Sequence, residues 1–216
     1  KDTKIYEMTY TDDYNIKIFD KKNRKTEIID LKQYIKDDNA IQKFLPTLKQ
    51  LPGQVLLKMF SKQIFFEYDQ QDNENGTWDI VNNSLTIGNW ENRIDENDAL
   101  LFTLLHELGH SIDNKKLSGS VDLSSKEEVM NTYREELKNL KESTTGQQEK
   151  YIDYFTDSTE EQNAAGERFA ETHAIMYSNN CTKLNMRKLY FAQYFPRTIA
   201  KIMEILIKEE CDNKSI

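Results

Sequence analysis

Two histidines and a glutamate interrupt an apolar stretch in the middle of the chain, in the sequence LHELGH over residues 105–110. Residues four apart on an α-helix differ by only about 40° in direction and about 6 Å in height, so His106 and His110 would share one face and could bind one metal ion. Glu107 could take a proton from a metal-bound water, the general-base role in metal-assisted hydrolysis. We therefore predict a catalytic zinc ion with Glu107 as the base.

The sequence on either side of this motif is apolar, from Ala99 to Leu105 before it and at Ile112 after it. A helix of this composition is expected to be buried, and burying three ionisable side chains without partners costs free energy. The chain has only three histidines, and two of them lie in this motif. These features favour a metal site over a chance match. Gly109 would allow a second backbone to approach the helix closely.

A third protein ligand must come from elsewhere in the chain. A histidine six residues after His110, with glycine at the third, would indicate a metzincin. Those positions are occupied by Lys116 and Asp113, so that pattern is absent. The candidates that remain are carboxylates on a later helix, or His173.

The later helix is expected over 164–177, where Glu167 and Glu171 lie four residues apart on one face among small side chains. We prefer these two as a zinc ligand and an acid that supports a ligand histidine. His173 lies about 240° from Glu167 around the helix, and its position is more typical of a surface or hydrogen-bonded helix histidine.

Composition excludes several classes of partner. The net charge is −8, and no stretch combines basic with aromatic residues, which argues against nucleic acid and anionic membranes. No apolar run reaches the roughly 20 residues that span a bilayer, so we expect no membrane anchor. The chain begins with Lys rather than Met, and we interpret it as a mature or trimmed form. Cys181 and Cys211 could pair or remain free.

The pattern of elements predicts one α+β domain over residues 1–216. Residues 1–98 mix strands and turns with one amphipathic helix and indicate a small sheet in an N-terminal α/β lobe. The active-site helix is expected over 99–117, and a helical lobe over 164–216 ends in a helix that begins at Pro196. Individual elements are expected at Lys4–Tyr10, Asn15–Phe19, 40–48, Ile64–Tyr68, Trp78–Val81, Leu85–Ile87 and, as a charged amphipathic helix, 124–142.

The segments HELGHSID, ERFAE and YFPRTIAKIMEIL resemble those of the family formed by the catalytic domain of anthrax lethal factor and the secreted bacterial Pro-Pro endopeptidases. The likeness covers roughly residues 40–210, and its specific motifs lie at 106–113 and 167–171. It implies a zincin-like fold of the gluzincin type, with a small mixed sheet and a helical C-terminal lobe. It also implies a secreted, monomeric zinc endopeptidase that acts on protein or peptide substrates.

Carried over to this sequence, the resemblance implies that Glu167 completes the zinc site of His106 and His110. Glu171 would be the partner of a ligand histidine. Asp113 matches an acid of the family that follows the second histidine, and it would support the helix or the site.

The resemblance also implies a strand that runs antiparallel to bound substrate. In this sequence it would be an exposed edge strand that binds an extended peptide by strand addition, formed by Leu85, Thr86, Ile87 and Gly88. The alternative is that these residues only pack at the edge of the sheet.

One feature of the family is missing. Its members have a tyrosine seven residues before the glutamate ligand that helps to stabilise the oxyanion, and Glu160 occupies that position here. The interval between the second histidine and the third ligand is also longer than the family implies, which indicates a helical insertion over 118–163. The tyrosine would then be displaced to Tyr154, which we prefer, or to Tyr151, unless these residues only pack in a short helix over 147–155.

Two other functions remain open. A lethal-factor-like fold can serve as a non-catalytic module that binds a partner, although such a module has no need of all three residues of the motif. An intracellular regulatory metallopeptidase that cleaves a repressor would also use a helix of this kind. The downstream motif at 167–171 favours the secreted endopeptidase.

Overall fold

The computed structural model describes most of the chain, namely residues 5–35, 38–61, 65–69, 76–79, 81–82, 84–88, 99–115, 119–140, 155–156, 161–178 and 191–212. The fold is mixed α+β, as the sequence predicts. The chain forms two compact units, residues 1–101 and 102–216. The boundary between the units lies close to residue 98, where the N-terminal lobe was expected to end. That both units belong to a single domain stays a prediction.

The first unit begins with an antiparallel sheet in the order β1-β2-β3, formed by Tyr6–Tyr10, Asn15–Asp20 and Lys25–Asp30. Alternation in β2 places Ile16 and Ile18 in the core, which confirms the strand pattern. Strand β3 was not predicted, because only Ile29 of this strand is buried and its sequence therefore lacks the alternating pattern. Helices α1 (Asp38–Leu48) and α2 (Gly53–Ser61) follow, and only α1 was predicted.

A second sheet has the order β4-β6-β5, with β4 at Phe65–Asp69, β5 at Thr77–Asp79 and β6 at Ser84–Gly88. This sheet is mixed, because β6 runs parallel to β4 and antiparallel to β5. The small sheet expected from the sequence is therefore two three-stranded sheets among the described residues.

The prediction that Leu85, Thr86, Ile87 and Gly88 form an edge strand is wrong. All four pair with β4, and β5 covers the other side of Leu85 and Thr86. The turn between β5 and β6 accounts for this arrangement, because the Asp79 carboxylate accepts hydrogen bonds from the backbone amides of Val81 and Asn82 at 2.8 and 3.1 Å. Strand addition needs unpaired backbone groups, and those of Leu85 and Thr86 are engaged within the sheet.

The second unit is helical. It contains most of α3 and all of α4, α5 and α6, whose bounds are Ala99–Asp113, Glu127–Leu140, Glu161–Tyr177 and Pro196–Asp212. Helix α6 begins at Pro196 as predicted, and Ile199, Ile202 and Leu206 are buried. Among the helices of the described residues, none combines the length and the apolar character that crossing a membrane requires.

Helix α3 ends at Asp113, four residues before the predicted end. The Asp113 carboxylate accepts hydrogen bonds from the backbone amide and hydroxyl of Ser124, at 2.6 and 2.7 Å. The amide of Lys115 donates to the Asp122 carboxylate at 3.1 Å instead of to a helical carbonyl. Asp122 thus takes a backbone donor that a further helical turn would use, and Asp113 ties the last residue of the helix to Ser124.

Helix α4 carries the charged pattern that the sequence predicts, with a buried stripe that includes Val129, Tyr133 and Leu140. Glu136 is an exception, because this residue of the charged face is buried. Its carboxylate accepts hydrogen bonds from the amides of Arg197 and Thr198 at 2.8 and 2.9 Å. Glu136 therefore caps the positive N-terminus of α6 from a neighbouring helix.

Helices α3 and α5 approach each other closely at Gly109 and Ala170. A Cβ atom on Gly109 would lie 2.7 Å from the Ala170 Cα atom and 3.1 Å from the Ala170 carbonyl oxygen. Such distances cannot be relieved by a side-chain rotation, because both atoms belong to the backbone. The close approach expected from Gly109 is thus confirmed, and its partner is α5.

A pair of glycine variants tests this contact. Gly109→Ala should lower the free energy of unfolding by about 2–3 kcal/mol, because the methyl group forces α3 and α5 apart. Gly166→Ala is the matched control, since its Cβ would meet the nearest atom, Asp113 Oδ2, at an ordinary 3.5 Å. Alanine's higher helix propensity should make the control neutral or more stable by up to about 1 kcal/mol. Urea unfolding measures both, and equal stabilities would contradict the close contact.

Candidate metal centre

Three side chains from two helices converge on one point. The Nε2 atoms of His106 and His110 lie 3.2 Å apart, because the four-residue spacing places both imidazoles on one face of α3. Helix α5 supplies Glu167, whose carboxylate oxygens lie 3.0 Å from His106 Nε2 and 3.4 Å from His110 Nε2. The structure thus brings together the three residues expected to be metal ligands.

The spacing of these atoms fits a small tetrahedral ion. Donors that each lie about 2.0–2.2 Å from a tetrahedral metal are about 3.3–3.5 Å from one another. The observed separations of 3.0–3.4 Å fall near this range. Two imidazole nitrogens with one carboxylate form a donor set found in catalytic zinc sites. The residues present therefore fit a metal ion without rearrangement of either helix.

Glu107 completes a buried group with the two histidines. Its carboxylate and the imidazole nitrogens of His106 and His110 all lie within 4.8 Å of one another, and this group could hold a metal ion. Glu167 approaches both Nε2 atoms from α5, while Glu107 lies alongside the histidines on α3.

Glu171 contacts His106 on the side away from His110 and Glu167. Its side chain is fully buried, and Oε2 lies 3.2 Å from His106 Nδ1, the nitrogen that faces away from the ligand cluster. A carboxylate at this position fixes the orientation of the imidazole and increases its basicity. The sequence predicts this contact, because Glu167 and Glu171 are four residues apart on α5.

The two carboxylates dominate the electrostatics of His106. Burial by itself lowers the pKa of this imidazole, but the hydrogen bonds and charges of Glu167 and Glu171 outweigh burial and raise the pKa to about 9. Burial alone would raise the pKa of Glu167, but its hydrogen bonds to His106 and His110 hold that pKa well below its usual range. Without a metal, His106 is therefore an imidazolium that pairs with the carboxylates at neutral pH.

Asp113 supports the end of α3. Its carboxylate binds Ser124, and burial raises its pKa to about 6, although the hydrogen bonds from Ser124 act in the opposite direction. A Cβ atom on Gly166 would lie 3.5 Å from Asp113 Oδ2 and 3.8 Å from His110 Nδ1, so Gly166 of α5 faces both side chains. This position agrees with the supporting role expected from the sequence.

His173 is a buried, hydrogen-bonded helix histidine. Its Nδ1 atom donates to the backbone carbonyl of Leu105 on α3, with a separation of 2.6 Å. Within the part of the chain that the structure describes, the group that could hold a metal ion comprises His106, Glu107 and His110, with Glu167 beside it; the His173 Nδ1 atom is engaged by the Leu105 carbonyl instead. The hydrogen-bonded alternative is confirmed, and a surface position is excluded because only 2% of the residue is exposed.

Several predicted residues lie outside the described ranges. They include the candidate oxyanion donors and the family position that lacks a tyrosine, namely Tyr154, Tyr151 and Glu160. The possible pairing of the two cysteines also involves a residue outside those ranges, Cys181. These predictions stay as the sequence analysis left them.

Arg168, beside the ligand Glu167, is a feature that the sequence analysis missed. The residue is buried, its guanidinium carbon lies 3.4 Å from the centre of the Tyr133 ring, and Nη1 donates to the Phe155 carbonyl at 2.5 Å. Burial lowers its pKa to about 10, so the group stays charged at neutral pH. In the sequence, the only indication of this role is that a charged residue lies on a helix face whose other residues are buried. Periodicity alone does not show whether such a residue is buried or which groups it binds.

Comparison with known proteins adds no assignment to this geometry. No protein-family model matches the chain, and no curated protein sequence is significantly similar to it.

Replacing Glu171 tests its support of His106. Glu171→Gln keeps the size of the side chain but removes the charge, so zinc affinity should fall by about 10–100-fold while the protein stays folded. Competition with a chromophoric chelator measures the affinity. Glu135→Gln is the control, because Glu135 is exposed and pairs with the exposed Arg197. Equal affinities in the two variants would contradict the supporting role.

The raised pKa of His106 predicts how the metal-free protein responds to pH. The folded-state pKa of about 9 lies above the ordinary 6.5, so this interaction stabilises the fold fully below pH 6.5 and is lost as the pH rises through 9. The free energy of unfolding of chelator-treated protein should therefore fall by about 3 kcal/mol over this window. Zinc should show the opposite trend, because its binding displaces the His106 proton and becomes more favourable as the pH rises.

Urea unfolding at intervals from pH 6 to 9.5 tests both trends. The control is Glu167→Gln, which removes one of the two charges that raise the His106 pKa and should make the profile of the metal-free protein less steep. A wild-type profile that coincides with that of Glu167→Gln would show that the pair does not exist in solution.

Proposed function

We propose that this protein is a zinc-dependent endopeptidase with a zincin-like fold, similar to the lethal factor and Pro-Pro endopeptidase family. The observation that supports this most directly is the convergence of His106, His110 and Glu167 within 3.0–3.4 Å of one another, with Glu107 alongside. Four ionisable side chains of the right types meet at one point of a largely apolar helix pair. Side chains on a solvated helix surface are expected to point into water and not to converge on one point between two helices.

The donor set supports zinc over other common ions. Magnesium and calcium prefer sites made of oxygen atoms, whereas two of the three donors here are imidazole nitrogens. Three protein ligands leave a fourth position open, which is characteristic of catalytic zinc sites. The side chains of His110 and Glu167 remain 22% and 27% exposed, so the cluster is accessible from solvent on this side.

The roles of the residues follow from their positions. Zinc, when bound, supplies a Lewis acid that lowers the pKa of a coordinated water to about 7. Glu107 accepts the proton of the attacking water and can deliver it to the leaving amine. Glu171 holds the His106 imidazole in the orientation that directs Nε2 toward the other ligands. Asp113, bound to Ser124, fixes the end of the helix that carries both histidines.

The proposal extends to the substrate and setting. Protein or peptide substrates, secretion and a monomeric state are supported by the sequence resemblance alone. The donor for the developing oxyanion would be Tyr154 or Tyr151, as the sequence suggests. A β4 or β5 edge, rather than β6, would be available in the second sheet for strand addition within its described residues.

Two substitutions separate metal binding from catalysis. Glu107→Ala should keep its zinc and lose about 10²–10⁴-fold in kcat/KM, because only the base is removed. Glu167→Ala should lose its zinc and with it all cleavage. The measurements are zinc content after dialysis and cleavage of a random peptide library analysed by mass spectrometry.

Glu161→Ala is the matched control for this pair of variants. Glu161 lies on the same helix as Glu167, but it is exposed and pairs with Arg134. Zinc content and cleavage should both be unchanged in this variant. A wild type that binds no zinc would overturn the proposal, and one that binds zinc but cleaves nothing would favour the non-catalytic binding module.

A further inference from the structure

We infer that His173 is a positioning residue that fixes helix α3 against α5 and thereby sets the geometry of the metal ligands. The observation is the hydrogen bond from His173 Nδ1 to the Leu105 carbonyl, across the contact between the two helices. Leu105 directly precedes the ligand His106. This inference rests on the proposed zinc site and assigns a role to a residue that neither binds the metal nor reacts.

The hydrogen bond is not required to satisfy Leu105. This residue lies inside α3, where each carbonyl accepts a hydrogen bond from the amide four residues further along. Burying an imidazole has a desolvation cost, and a hydrogen bond to a carbonyl recovers only a modest net stabilisation. An apolar side chain of similar size would fill the same space without that cost. What the imidazole adds is a bond with a defined direction and length.

Direction matters here because one contact cannot define how two helices are placed. The close approach of Gly109 and Ala170 fixes the distance between α3 and α5, but it leaves them able to slide and turn about that point. The bond from His173 to Leu105 adds a directional contact beside this point: a Gly109 Cβ atom would also lie 3.1 Å from the His173 Cβ atom, while His173 Nδ1 reaches the carbonyl one turn before Gly109. A directional contact of this kind restricts both the crossing angle and the register.

The ligand geometry depends on that register. Glu167 and Glu171 on α5 approach the two nitrogens of His106 on α3 at 3.0 and 3.2 Å. A slide of one helix by 1 Å would break these approaches or force the atoms together. Donors of a metal site must be held to within about 0.5 Å, so a second fixed contact close to His106 serves the site directly.

Two substitutions of His173 test the inference, one that keeps a donor and one that removes it. His173→Asn retains a donor, because the asparagine amide nitrogen occupies the same position along the side chain as Nδ1. His173→Leu has nearly the same volume and cannot donate. Zinc affinity should fall by about 10–100-fold in His173→Leu and by less than about threefold in His173→Asn. The visible absorption of the cobalt-substituted proteins should change in the leucine variant alone, because this spectrum reports ligand geometry.

A neighbouring variant controls for lost stability. Thr172 is also fully buried, and its hydroxyl donates to the Arg168 carbonyl of its own helix at 2.8 Å, without a bond to α3. Thr172→Val therefore removes a buried hydrogen bond from α5 and should leave zinc affinity and the cobalt spectrum unchanged. If His173→Leu fails to fold, His173→Phe retains the ring volume without the donor and replaces it in the comparison.

The possible results distinguish this inference from the proposed function. Equal zinc affinities and cobalt spectra in the asparagine and leucine variants would overturn the positioning role, as would an equal loss in Thr172→Val. A wild type that binds zinc but cleaves no peptide would overturn the peptidase alone, because the affinities still report the role of His173. A wild type that binds no zinc would overturn both.

Discussion

The close contact between α3 and α5 is the constraint on which the rest of the second unit depends. Helices that pack through ordinary side chains lie about 8–10 Å apart, and a glycine at the contact lets the two backbones come closer than that. Gly109 removes a side chain from the contact, and Ala170 faces it with the smallest side chain available. The backbones therefore approach closely enough for Glu167 to lie between His106 and His110.

This contact brings charged groups out of water, and their mutual arrangement offsets the cost. Glu171 is fully buried, and His106 and Glu107 are nearly so. Without a metal, a proton on His106 provides the positive charge that the two carboxylates of α5 need. A divalent ion would provide the same compensation with more charge and would require that proton to leave. Proton and metal are thus alternative ways of stabilising one set of side chains, which is why pH changes their balance.

The parts of the site that could be predicted from the sequence are those set by local helical periodicity. The spacing of His106 and His110 fixes their shared face in any helix, and the same holds for Glu167 and Glu171. The close approach at Gly109 followed from the absence of a side chain. Each of these predictions needed only the identity of a helix and the residues within about one turn of it.

The errors and omissions concern pairings between distant segments. Residues 85–88 were expected at an edge, because their sequence shows a strand but does not show that β5 and β4 would flank it. Glu136 belongs to a charged pattern that is typical of a solvated surface, and only the arrival of α6 makes it a buried cap. His173 was correctly considered a hydrogen-bonded residue. Its partner could not be predicted, because a backbone carbonyl on another helix can belong to any residue type.

Helix α5 is held by directional contacts on more than one side. His173 binds the backbone of α3, and Arg168 stacks on Tyr133 of α4 while it donates to the Phe155 carbonyl. Both side chains are costly to bury, and an entirely apolar helix of the same size could pack with less desolvation. Apolar contacts are nearly indifferent to small slides, however, whereas these bonds are not. A helix that must deliver Glu167 to a fixed point therefore benefits from buried polar groups that a purely structural helix would not need.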